Sequence, residues 1–272
     1  CLAEQAKILY AEAEENNLDV KVCNERWNRW CKCSLCKQRY HGVVRCALGW
    51  ACWKTYLGRP ETDQLRINAM TELGNGLHTI DRHEDALTVQ EAEMALLRRI
   101  GASEENILVV QSNLAGTYAT LGRLEEASRI VRDVYSGHSK LNGEESDRTL
   151  NAASNYASSL AELKRFKEAR ALLCKIMPVA RRVLGGNNEL TLRMRWIYAR
   201  AFYEDAAATL DDLREAATTL EDTDRTARRV LRAAHPFTLR VETSLRNARA
   251  VLAFQEGDVA NSVREALRKA KV

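Results

Sequence analysis

Apolar residues recur along most of this chain with the three-and-four spacing of an amphipathic helix. Ala169, Leu172, Leu173, Ile176, Ala180, Val183 and Leu184 form a stripe on one helix face, which must be buried against a neighbour. Val110, Leu114, Tyr118 and Leu121 form another. It ends at Gly122, a residue suited to the left-handed C-cap that would turn the chain. The pattern predicts five first helices, near 66–80, 108–121, 150–163, 192–204 and 239–254. Their partners are expected near 83–99, 124–141, 166–184, 213–232 and 258–271. Leu2 to Glu15 reads as a separate helix.

The helices come in repeats. Asn113-Leu114-Ala115 precedes Arg123-Leu124-Glu125-Glu126-Ala127, and Asn155-Tyr156-Ala157 precedes Arg165-Phe166-Lys167-Glu168-Ala169, a step of 42 residues. The frame extends back to Arg82-His83-Glu84-Asp85-Ala86 and forward to Leu213-Arg214-Glu215-Ala216, the last step being 47 residues because of an insertion between Glu204 and Asp212. Thr149-Leu150, Thr191-Leu192 and Thr238-Leu239 keep the same two steps. Two landmarks that drift together argue for true repetition. One helical pair cannot hide its own apolar stripe, so the pairs must stack.

These residues resemble the tetratricopeptide family, in its long-repeat, kinesin-light-chain-like branch. Leu121-Gly122-Arg123-Leu124-Glu125-Glu126-Ala127 and Ala234-His235-Pro236-Phe237-Thr238 carry the resemblance, which covers about residues 66–272. It implies an all-α, superhelical stack of about five antiparallel helical hairpins, preceded by a small Cys-rich segment. The expected division is 1–58 for that segment and 59–272 for the repeats, at 66–107, 108–149, 150–191, 192–238 and 239–272. Three residues depart from the pattern: Gln90 and Glu93 stand where apolar residues are usual, and Pro178 should kink or break its helix.

Composition agrees with helices. Only three prolines occur, and Ala, Leu, Glu and Arg dominate. The 41 basic and 37 acidic residues leave a net charge of +4, with no basic block of the kind that tracks phosphates. Runs such as Arg181-Arg182 and Arg228-Arg229 read as solvated helix faces. No apolar run is long enough to span a bilayer; Val43 to Leu57 is interrupted by Arg45, Gly49 and Lys54. The expectation is a soluble, cytoplasmic protein that binds neither nucleic acid nor membrane. The chain starts at Cys1 without a methionine and reads as a segment of something longer.

Seven of the eight cysteines precede residue 53, a clustering that favours metal ligation or free thiols over disulfides. Cys33-Ser34-Leu35-Cys36 is a Cys-x-x-Cys pair, which suits zinc because one tight turn aims two thiolates at one ion. With Lys37-Gln38-Arg39-Tyr40 it resembles the closing knuckle of a RING-CH finger, and Cys1-Leu2 then matches the end of that family's His-x-x-Cys. The resemblance implies zinc ligands at Cys1, Cys33 and Cys36, with Cys1 in one site and the pair in the other. A rival arrangement closes one site from Cys33, Cys36, His41 and either Cys46 or Cys52. The plain alternative makes these cysteines small buried hydrophobes. Trp27, Trp30, Trp50 and Trp53 are expected to pack this segment onto the first repeat.

Sequence motifs for phosphate loops, dinucleotide binding, zinc proteases and esterase nucleophiles do not occur. Carboxylate pairs such as Glu125-Glu126 and Asp211-Asp212 sit at helix starts, where they complement the helix dipole. The chain is thus read as a non-enzymatic scaffold that captures peptides in a groove lined by first helices. Asn113 and Asn155 match the asparagine that, in peptide-clamping members of the family, holds the ligand backbone. Asn75, Asn151, Ser154, Ser158, Arg193, Arg200, Arg240 and Asn247 lie along the same wall, and its arginines favour an acidic or carboxylate-bearing peptide. The competing reading makes the chain the substrate-recruiting arm of a RING-type ubiquitin ligase, with a ubiquitin-conjugating enzyme as partner of the whole protein.

Overall fold

The computed structural model describes the backbone of residues 1–270 and the side chains of residues 1–257. The described residues form twelve α-helices and one 3-10 turn, with no β-strand; a lone antiparallel bridge joins Lys32 and Arg39. They fall into two compact units, Cys1–Ile130 and Val131–Val272.

In the first unit, α1 (Leu2–Glu15), α2 (Val20–Trp27) and α3 (Gly42–Tyr56) precede the hairpin of α4 (Gln64–His78) and α5 (His83–Arg99), and α6 (Glu104–Thr120) follows. The boundary between units lies within α7 (Leu124–Asn142). The second unit contains α8 (Asp147–Glu162), α9 (Phe166–Val183), α10 (Glu189–Tyr203), α11 (Leu210–Leu231) and α12 (Pro236–Ala270). Here each helix packs on the next, and α10 also touches α8 and α12, so the first helices stand side by side. Leu150, Leu160, Leu173, Leu192, Ile197, Leu220 and Val241 fill the core between them.

Physical chemistry explains the repeated signature. The residue before each Arg takes a left-handed conformation: Asp81 at φ 61°, Gly122 at 78° and Lys164 at 58°. The Arg N–H then reaches back to a helix carbonyl, Arg82 to Leu77 at 3.2 Å, Arg123 to Tyr118 at 2.9 Å and Arg165 to Leu160 at 2.8 Å, which closes a Schellman-type cap. Its guanidinium pairs with the carboxylate three residues on: Arg82 with Asp85 at 2.5 Å, Arg123 with Glu126 at 2.5 Å and Arg165 with Glu168 at 2.6 Å. The following Ala86, Ala127 and Ala169 are buried, where a larger side chain would hold the paired helices apart.

Most helices lie close to their expected positions. First helices begin two to four residues early because Asp63, Ser103, Ser146 and Asn188 cap them through side-chain oxygens. Two expectations fail. Pro178 does not interrupt α9, which runs unbroken from Phe166 to Val183, with Leu173 and Ile176 anchored in the core on its N-terminal side and Ala180 beyond it. The turn expected between 254 and 258 is also absent: α12 is one helix of 35 residues, and it fills the place of the fifth hairpin. Gly257 alone costs only about 1 kcal/mol in a helix interior, too little to end it without a cap. Residue 271, the last of the expected second helix there, lies outside the described residues.

The N-terminal helices share a core with the first hairpin. Trp30 is fully buried beside Tyr56, Leu65 and Ala69, and Trp27 packs against Tyr10 and Tyr56 at ring distances of 5.4 and 5.5 Å. Trp53 joins them, but Trp50 does not: it is 42% exposed, on the far side of α3. Helices α3 and α4 cross through glycine. A Cβ on Gly49 would stand 2.6 Å from the Glu72 carbonyl oxygen, and one on Gly76 would stand 3.0 Å from the Cys46 Cα. The crossing holds a buried ion pair of Arg45 with Glu72, and Arg45 also donates to the Trp30 carbonyl at 3.2 Å.

Gln90 and Glu93, the two polar departures, are buried and bonded. The Thr117 hydroxyl donates to Gln90 at 2.8 Å, and that of Thr71 donates to Glu93. Burial pushes the Glu93 carboxyl up to about 7, against the opposing Thr71 bond and with a smaller contribution from Glu72.

Candidate functional site

In the second unit, α8 and α10 bring four of the singled-out residues together. Arg193 on α10 reaches across to α8, its Nη2 donating to Asn151 Oδ1 at 2.7 Å and Asn155 Oδ1 at 3.1 Å, and its Nε to Ser154 Oγ at 3.2 Å. Asn151 and Asn155 sit one helical turn apart, so their amide oxygens line one face. Burial lowers the Arg193 pKa; Glu189 opposes the shift and Arg240 adds to it. No carboxylate forms an ion pair with this guanidinium among the described residues; amides and a hydroxyl hold it instead.

A second cluster adjoins it. The Trp196 ring carries the Arg200 guanidinium 5.7 Å from its centre and that of Arg240, on α12, at 5.5 Å. Its indole N–H donates to Ser244 Oγ at 2.8 Å, which fixes the ring. Arg200 is partly neutralised by Glu204 at 2.8 Å. Trp196 was not foreseen as part of the wall; the signal was its place one turn before Arg200 and one turn after Arg193. This wall therefore presents guanidinium groups and amides, two of the guanidinium groups backed by a buried aromatic ring, a set suited to carboxylates and peptide groups.

The remaining expected residues are more loosely placed. Ser158 makes a 3.4 Å bond with Glu162, and Asn247 is exposed on α12. In the first unit, Asn75 is half-buried on α4, and the Asn113 side-chain N–H₂ on α6 is buried without a hydrogen-bond partner. A buried amide donor left open is costly, and a ligand acceptor would satisfy it.

The cysteine-rich segment forms a tight turn at the expected pair. Cys33 N–H donates to the Gln38 carbonyl at 2.9 Å, Lys37 N–H donates to the Cys33 carbonyl at 3.0 Å, and Lys37 takes a left-handed φ of 60°. The Cys33 thiol is held below its usual pKa by backbone N–H groups of Cys36 and Leu35, helped by the Cys36 and Tyr40 side chains. Cys1 is exposed at the start of α1. Among the described residues no three His, Cys, Asp or Glu side chains gather as a metal site. The site closing through His41 and Cys46 or Cys52 is thus not formed. Both cysteines are buried in α3, and burial raises both thiols. Cys33 and Cys36 together offer two of the four ligands that a structural zinc requires.

Comparison with known proteins fits this architecture. Residues 107–147 and 149–189 match the family model described as tetratricopeptide repeat, so the chain carries tetratricopeptide repeats in its middle. Among solved structures, repeats described as kinesin-light-chain TPR-like from Podosopora anserina match with TM-score 0.58 and 20% identity, over 78% of this chain and 98% of that one. BtubC (BKLC) from P. vanneervenii matches with TM-score 0.55 and 15% identity, over 82% of this chain and 91% of that one. A Rap protein complexed with Competence and Sporulation Factor matches with TM-score 0.54 and 15% identity, over 93% of this chain and 66% of that one. No curated protein matches the sequence. At these identities the likeness concerns the fold, and no RING-CH relative appears among these matches. No helix among the described residues is long and apolar enough to cross a membrane.

Proposed function

We propose that this chain is a non-enzymatic scaffold that captures partner peptides on the α8, α10 and α12 wall, with acidic segments preferred. The observation that carries the reading is Arg193, held by Asn151, Ser154 and Asn155 with no carboxylate of its own. A partly desolvated guanidinium positioned by neutral groups keeps its charge available for an incoming carboxylate. Arg200 and Arg240 against Trp196 extend the same preference along the wall. The fold neighbour complexed with Competence and Sporulation Factor supports ligand capture by this architecture.

The ubiquitin-ligase reading would need a complete pair of zinc sites, and its support here is limited to the turn at Cys33 and Cys36. The scaffold reading is tested by displaying random peptides to the whole chain and titrating those captured. Captured peptides should be enriched in Asp and Glu, and Asn155→Ala and Arg193→Glu should weaken them while the chain stays folded. Unchanged affinity in both variants overturns the site.

A further inference from the structure

The face of α10 opposite Arg193 borders a second hollow. Thr191 and Arg195 are four residues apart and share that face, while Arg193 between them points away. They meet Cys174, Met177, Pro178 and Arg181 of α9 around an open, mainly apolar cleft of about 750 Å³. That volume lies within the range of small-molecule sites. A smaller hollow of about 420 Å³ continues from it and shares Arg181, Thr191 and Arg195.

Positive charge at this cleft is under-compensated. Arg181 has no ion pair among the described residues, whereas its neighbour Arg182 is paired with Glu145 at 2.6 Å. Arg195 only approaches Asp222, at 3.9 Å, and Asp222 is shared with Arg225 at 3.3 Å. Burial lowers the Arg195 pKa, Asp222 opposes this, and Arg181 adds to it.

An independent sign comes from Thr191. It is 2% exposed, lines both hollows, and its hydroxyl has no hydrogen-bond partner. Its counterpart Thr149 donates to the Gly143 carbonyl at 2.7 Å. Thr238 is also unpartnered but borders neither hollow. An orphaned buried hydroxyl on a cleft that two under-compensated guanidinium groups also line leaves donors in excess of acceptors.

We propose that this cleft binds a small amphipathic carboxylate. Its apolar tail lies on Cys174, Met177 and Pro178, and its head is held by Arg181, Arg195 and the Thr191 hydroxyl. The site is distinct from the peptide wall and stands whether or not that wall binds peptides.

Cys174 is exposed and borders the cleft, so its alkylation reports occupancy. The whole chain is treated with iodoacetamide alone and with decanoate, decanol or acetate, and Cys174 modification is followed by peptide mass mapping. At a free concentration about ten times its Kd, decanoate should slow the reaction about tenfold, while decanol and acetate leave it unchanged. Arg181→Glu, an exposed substitution, should abolish protection without moving the thermal melt, and Thr191→Val should weaken it. Equal protection by decanol would mean an apolar patch without an anion site and overturns the proposal. So does protection that survives in Arg181→Glu, or no protection by decanoate.

Discussion

Arg193 and Asn155, separated by 38 residues of sequence, meet at 3.1 Å across the α8 and α10 interface. The guanidinium is already engaged by three neutral groups, so a carboxylate ligand must bind it without losing more than it gains. A lysine would keep the charge but could not reproduce the planar fork that spans both asparagines and Ser154. Arg193→Lys should therefore weaken captured acidic peptides about tenfold, measured by calorimetric titration. Wild-type affinity in this variant would show that charge alone suffices.

Glu93 gives a pH prediction with a definite sign. Its folded pKa is raised from 4.5 to about 7, so the folded state holds the proton more tightly than the unfolded chain. The stability it confers is complete below the lower value and is lost as pH rises through the upper one, a change of about 3 kcal/mol. Glu93→Gln should remove this slope and should melt above the wild type at pH 8.5. Burial lowers the pKa of His78 and His138, which weakens the fold toward acid, so the difference between the two proteins isolates Glu93. Parallel melting curves across pH 5–8.5 would refute the assignment.

The glycine crossing is equally direct. Gly49→Ala would place a methyl 2.6 Å from the Glu72 carbonyl oxygen, which belongs to helix backbone and cannot swing aside. Urea unfolding should show a loss of about 1–3 kcal/mol or more. Gly116→Ala, where a Cβ meets nothing within 4 Å, should be neutral or stabilising. Similar stabilities for the two variants would remove the crossing as a constraint.

Thiol chemistry distinguishes the cysteines. Cys33 sits in a turn whose N–H groups favour thiolate, whereas burial raises Cys31, Cys46 and Cys52. Iodoacetamide at neutral pH should label Cys33 well before those three, which should react only on unfolding. Labelling of Cys52 at the Cys33 rate in the folded protein would contradict the packing of α3.

The repeat period was legible because it rests on local chemistry: Arg, a carboxylate three residues later, and Ala for close packing. That Asn151, Ser154, Asn155 and Arg193 share one side was also legible, since equal spacing in equivalent helices places them there. Their mutual bonding was not, because it depends on how α10 is offset against α8. Pro178 and the turn expected between 254 and 258 failed for the same reason: a local weakness in a helix can be outweighed by neighbouring turns that remain anchored or continuous. Gln90 and Glu93 looked like defects until their partners Thr117 and Thr71, on other helices, came into view. The Gly49 crossing could not be read at all, since nothing local distinguishes a glycine that admits a neighbouring backbone from one that merely tolerates solvent.

The arginine clip at three of the hairpin turns also bears on how such a chain can change over time. Closure is written within about six consecutive residues. A copied hairpin therefore brings its own instructions for turning back, and a lost one takes them away without damaging the next. Length can vary by whole modules while specificity drifts separately, through the exposed positions on the first helices.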